Sequence, residues 1–244
     1  MAIAALGGAF WLVRALDAPT LDAALCPPGG PTSALVVVLD LTDPVEPAQL
    51  SAIESRIMAA VNGAAPGAFL AVGLVHPDSA SRGARFALCK PKSGAAANEL
   101  YENPRMIEAE YAMKFEAPLQ DALAEMIPAG TADSSPIMES IQATLAGVRG
   151  FSEARYPKTL ILVTDLLQHS EVFSFYRGDA WHRFAASADY ARLSRNLDGA
   201  TIEILRIPRP GARIRDPAAI DEFWVSYFER QGARTVRFRV IGDL

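Results

Sequence analysis

Two kinds of hydrophobic pattern alternate along this chain. Residues 34–40, "ALVVVLD", form an unbroken apolar, β-branched run, the mark of a strand buried on both faces. Residues 47–63 follow with apolar positions at Leu50, Ile53, Ile57, Met58 and Val61. That is helical spacing, with Pro47 in the first turn and Asn62-Gly63 as a stop. Buried-strand patterns return at 68–75 and 158–165, strand patterns at 200–207 and 235–242, and 85–90 reads as a short edge strand. Helical patterns return at 103–127, 135–148 and 217–232, with Pro118 marking a break or kink in the first. A long loop and a polar helix fill the gap between 166 and 199. Strand and helix alternating over the whole chain predict a single α/β domain. Its sheet is doubly wound and mainly parallel, with helices on both faces and a short antiparallel edge strand. The domain is expected over 33–244, after an apolar segment and linker at 1–32.

Composition changes this picture little. The 244 residues are half hydrophobic, enough for a sizeable core. A net charge of −5 gives no electrostatic reason to expect nucleic acid. The basic stretches "RPGARIRD" and "RTVRFRV" read as a solvated loop and a strand edge. The first residues are apolar as far as Arg14, short of the ~20 that span a bilayer. Three readings of that run stand side by side: the end of a membrane anchor, a docked apolar helix, or a shortened signal sequence. Cys26 and Cys89 each end an apolar stretch before a Pro/Gly-rich loop. They are either a disulfide made in an oxidising compartment or two unrelated buried thiols.

Candidate chemistry gathers where strands end, since ligands of such sheets bind beyond the strands' carboxyl ends. Asp40, Thr42 and Asp43 follow the first strand. Ser134 and Ser135 precede the helix beginning at Pro136, and Thr164 and Asp165 close a later strand. Capping explains each group taken singly. Asp43-Pro44-Val45-Glu46 has the form of a capping box, and Ser135-Pro136 that of an N-cap followed by an N1 proline. Taken together they form an oxygen-only set suited to a hard cation such as Mg²⁺.

A buried strand ending D-x-T, a later S-P-φ helix start and a φφφφ-T-D strand end resemble a von Willebrand factor A domain. The resemblance covers about residues 33 to 242. It implies a metal-ion-dependent adhesion site, with Asp40 and Thr42 matching the first two loop ligands. Ser135 stands where the family has threonine, and Asp165 matches its final aspartate. One position departs from the pattern: Pro44 stands where the third loop ligand should be serine. Asp43 and Ser134 are the neighbouring oxygen donors. The resemblance thus implies a degenerate Mg²⁺ site on a protein-binding module. In the family an acidic residue of the partner commonly completes the metal's coordination.

The loop 166–190 carries Phe173, Phe175, Tyr176, Arg177, Trp181 and Phe184, along with His169 and His182. Aromatics and arginine anchor interfaces, so Phe175, Tyr176, Arg177 and Trp181 are candidate partner contacts. The same rings could instead pack the loop onto the domain. For catalysis the chain has no G-x-S-x-G elbow, no phosphate-binding G-x-x-x-x-G-K-[ST] and no G-x-G-x-x-G. A metal-dependent hydrolase, nuclease or phosphatase using Asp40, Asp43 and Asp165 is the alternative to a binding module. The expectation is therefore a von Willebrand A-like interaction module, tethered to a membrane on its extracytoplasmic side and binding a protein partner with or without Mg²⁺.

Overall fold

A computed structural model describes residues 21–98, 100–127, 131–148, 150–152, 156–209 and 218–241. Its strands are β1 (Ser33–Leu39), β2 (Ala68–Leu74), β3 (Ala84–Cys89), β4 (Lys158–Thr164), β5 (Thr201–Arg206) and β6 (Thr235–Val240). They form one six-stranded sheet in the order β3-β2-β1-β4-β5-β6. Every pairing is parallel except β2 with β3, so the reversed strand lies at an edge, as the pattern predicts.

The split of β1 between two cores explains its unbroken apolar run. Ala34, Val36 and Val38 face a core shared with Ile137, Ile141, Leu145 and Trp224. Leu35, Val37 and Leu39 face the opposite core, with Ile53, Ile57, Phe115 and Leu119. Neither side of the strand meets water, so no position is free to be polar. The outer strand β6 keeps Arg237 and Arg239 exposed, which accounts for its basic alternation.

Helix α1 (Pro47–Gly63) has the predicted bounds and buries Ile53, Ile57 and Val61. The pattern over 103–127 resolves into α2 (Pro104–Tyr111), a π-helical turn (Ala112–Glu116) and α3 (Ala117–Met126). In that turn the Ala117 N–H donates to the carbonyl of Ala112, five residues back. The widened turn lets Pro118, which has no N–H to give, enter a continuing helix. Helix α4 (Ile137–Ala146) lies close on β2, because Gly73 leaves room for it. A Cβ at Gly73 would sit 2.2 Å from the Thr144 hydroxyl. The polar helix expected after the long loop is two short ones, α5 (Trp181–Ala185) and α6 (Ala188–Arg192). The last helix, α7 (Ala218–Arg230), buries Phe223, Trp224, Tyr227 and Phe228.

The amino-terminal end of the sheet is fastened firmly. Cys26 and Cys89 form a disulfide with their Cα atoms 4.9 Å apart. This selects between the two readings of the cysteines and holds the turn-rich segment 21–32 onto β3. Next to it, the buried Lys90 ammonium donates to the carbonyls of Val61, Asn62 and Ala64 at 2.8–2.9 Å, closing the C-terminus of α1. The N-terminal run on which the anchor reading falls lies outside the described residues. Among the described residues, no helix is long and apolar enough to cross a membrane.

Candidate functional site at the strand exits

The strand order reverses between β1 and β4, so the crevice beyond their carboxyl ends is the topological switch point. Asp40 stands there, the first residue after β1 and only 3% exposed. Three segments converge on it. One carboxylate oxygen accepts from the Thr42 hydroxyl at 2.7 Å and from the Thr42 backbone N–H at 3.3 Å. The other accepts from the Ser135 hydroxyl at 3.0 Å and the Thr164 hydroxyl at 2.8 Å. Burial raises the Asp40 pKa above the usual carboxylate range, and the three hydroxyls work against that rise.

The capping explanations do not hold. The residue preceding α1 is Glu46, whose N–H donates to the Gln49 side chain at 3.0 Å, so Asp43 is not part of that cap. Pro136 occupies the N-cap position of α4, which has no side-chain cap, and the Ser135 hydroxyl is spent on Asp40 instead. The backbone of Ser135 is fixed by a reciprocal pair of hydrogen bonds with His169, at 2.8 and 2.9 Å. Ser134, half-buried, has turned away to line a neighbouring cleft.

Asp165 lies one step beyond β4. Its carboxylate accepts from the Leu167 N–H at 2.9 Å and from Arg209 Nε at 3.1 Å. Burial, and then the charge of Asp40, push its pKa up to about 6, against the pull of Arg209. The chain turns sharply here: Leu166 has a left-handed φ of 70°, unusual for a residue with a branched side chain. Its surroundings hold it there. The Thr164 hydroxyl accepts from the Leu166 N–H at 2.8 Å, and the Leu166 carbonyl accepts from the Trp224 indole at 3.0 Å. Backbone strain of this kind collects at functional sites.

Thr164, grouped with Asp165 at the strand end, supplies the third hydroxyl to Asp40. One participant was not singled out from the sequence. Arg209, placed in a solvated loop by its composition, reaches back to the site. It bonds Asp165, donates to the Pro44 carbonyl at 2.7 Å and lies 3.7 Å from the Asp43 carboxylate. The signal that could have found it is strand order: β5 pairs with β4, so residues just past β5 must emerge beside Asp165.

The aromatic loop divides. Phe175 is 6% exposed and packs edge-on against Phe173 and Phe223. Its ring belongs to the core, which corrects its place among the partner contacts: packing against Phe173 and Phe223 offered it more burial than solvent would. Trp181 is half-buried against Phe184, Tyr190 and Phe223, so it too serves mainly to pack the loop. Tyr176 remains 48% exposed and meets His169 edge-on. Burial raises its pKa, and the charges of Asp165 and Asp43 add to the rise. Arg177 is exposed but braced by the carbonyls of Ser170 and Glu171 and by Asp179. His169 is bound to Ser174 at 2.7 Å, and His182 is exposed on α5. Alongside lies an open cleft of about 710 Å³ between Ser134 and Pro136 on one wall and Pro77 and Arg82 on another.

For a metal, the chemistry of the donors is right on one side and wrong on the other. Asp40, Thr42 and Ser135 form a hard-oxygen corner. Across from it Pro44 has no hydroxyl, and the outer oxygen of Asp165 faces a guanidinium where an ion would need it. Among the described residues, no three acidic, histidine or cysteine side chains come together as a metal cage. No known family model matches the chain, and no curated protein matches it. What fold and site define together is an α/β protein with an aspartate–hydroxyl cluster at its switch point.

Proposed function

We propose that this chain is a protein-interaction module of von Willebrand A type, which receives its partner at the carboxyl edge of the sheet. One observation carries this reading. Three hydroxyls from three separate segments converge on a buried aspartate at the switch point, with a second aspartate and exposed groups beside it. A helix cap or a core polar network needs no such convergence on the one edge where ligands of these folds bind. Tyr176 and Asp43, about half exposed, provide the rim, and the cleft beside Ser134 provides relief for a partner's side chains. The disulfide supports placement in an oxidising, extracytoplasmic compartment. Tethering to a membrane through the N-terminal apolar segment belongs to the same proposal.

The hydrolase alternative has one support, an aspartate with a pKa of about 6 beside a cleft. Against it stands Asp40, both of whose oxygens are engaged by hydroxyls and buried.

A photo-crosslinking residue placed at Tyr176, and in a separate variant at Asn62 on the opposite end, tests the binding reading. In the native host a partner should be captured from position 176 and not from 62. Capture should fall in an Asp40→Ala background that still unfolds cooperatively. Capture from 62 alone, or capture from 176 indifferent to Asp40→Ala, would refute it.

A further inference from the structure

The strand-exit cluster contains three carboxyl groups, those of Asp40, Asp43 and Asp165, and the cation facing two of them comes from the chain itself. Arg209 spans the opening: Nε on Asp165 at 3.1 Å, Nη1 on the Pro44 carbonyl at 2.7 Å, and Nη2 3.7 Å from Asp43. The side chain of Asp165 is 6% exposed and that of Arg209 is 23% exposed, so this is not a loose surface pair. Its planar fork matches acceptors on two sides at once, which a lysine's point charge would not. The carbonyl it takes belongs to Pro44, the position that lacks a hydroxyl to offer an ion.

We propose that Arg209 is a tethered cation standing where a hard divalent ion would otherwise bind, so that the edge works without metal, and that removing the guanidinium converts it into a metal site. With Arg209 gone, the outer oxygen of Asp165, the Asp43 carboxylate and the Pro44 carbonyl lose their positive partner. Two carboxylates and a carbonyl freed together are oxygen ligands of the kind that Mg²⁺ and Mn²⁺ take. The proposal concerns the cation and not the partner. A failure to capture any partner at position 176 would leave it standing.

The test is Mn²⁺ binding to the purified chain, followed by calorimetry and by the electron paramagnetic resonance signal of the free ion. Arg209→Met keeps the apolar stem and removes the charge; Arg209→Gln keeps donors and removes the charge. The expected result is Mn²⁺ binding at least about tenfold tighter in both variants than in the wild type. Adding Asp165→Asn to Arg209→Met should abolish it. Wild-type protein that binds Mn²⁺ as tightly as the variants would overturn the proposal, because arginine and ion would then occupy different places. Folded variants that bind no Mn²⁺ would overturn it equally.

Discussion

The two ends of the sheet both bury charge, and they treat it in opposite ways. At the amino end, each of three carbonyls at the close of α1 receives a hydrogen bond from Lys90, and the Cys26–Cys89 bridge lies alongside. Lys158, at the start of β4, is buried and paired with Asp198 at 2.6 Å. At the carboxyl end, two aspartates stand at neighbouring strand exits, and burial together with the charge of Asp40 raises the cost of charging Asp165. Among the described residues, Asp40 takes its hydrogen bonds from three hydroxyls and the Thr42 N–H, and from no cation. The contrast separates groups retained for stability from groups retained in spite of it. A fold gains by satisfying the lysines; it gains nothing from crowding the aspartates, unless something binds them.

That comparison can be broken at several points. The largest effect should come from the bridge. It spans a sequence separation of 63, and replacing both cysteines with serine should lower stability by roughly 4 kcal/mol at most in the chain-entropy account. Urea unfolding measures this, and crosslinking at Tyr176 should survive under conditions where the variant stays folded. Lys90→Met should follow, at about 2 kcal/mol, because it leaves helix-end carbonyls without their donor; burial lowers the lysine's pKa and so tempers the loss. Ser135→Ala should cost less, about 1 kcal/mol, since Asp40 keeps its bonds to Thr42 and Thr164. A loss at Ser135 equal to that at Lys90 would blur the distinction between the ends. The smallest effect on folding should be that of Tyr176→Ala, within about 0.5 kcal/mol, while partner binding weakens measurably.

Much of this was legible in the residues, and the exceptions have physical causes. The run 34–40 showed a strand with two buried faces, and Asn62-Gly63 showed where α1 stops. Asp40, Thr42 and Ser135 could be grouped because strand exits in a parallel sheet share an edge, and the structure brings their oxygens into contact. Phe175 and Tyr176 show the limit. They are neighbours with similar side chains, yet one is buried and the other exposed, a choice made by the short helical turn at 175–177 that no hydrophobic pattern announces. Arg209 was hidden for a different reason. Its partners lie 44 and 165 residues away, and composition alone could only read its loop as solvated.

The central claim is that the carboxyl end carries charge at a cost to folding, and Asp165→Asn tests it most directly. The folded-state pKa of Asp165, about 6, lies above its ordinary 3.8, so the folded protein holds this proton more tightly than the unfolded chain does. This group's contribution to stability is therefore complete below about pH 4 and is lost as the pH rises through about 6. The difference amounts to at most about 3 kcal/mol. Asparagine cannot ionise; its one carbonyl oxygen keeps the bond from the Leu167 N–H, and its NH2 takes the place of the oxygen that Arg209 meets. In urea unfolding, the stability of Asp165→Asn should therefore fall less than that of the wild type between about pH 3.5 and pH 7, while capture at Tyr176 declines. An asparagine variant destabilised at pH 7 as much as Lys90→Met, with capture unchanged, would contradict the account: Asp165 would then be one more structural anchor.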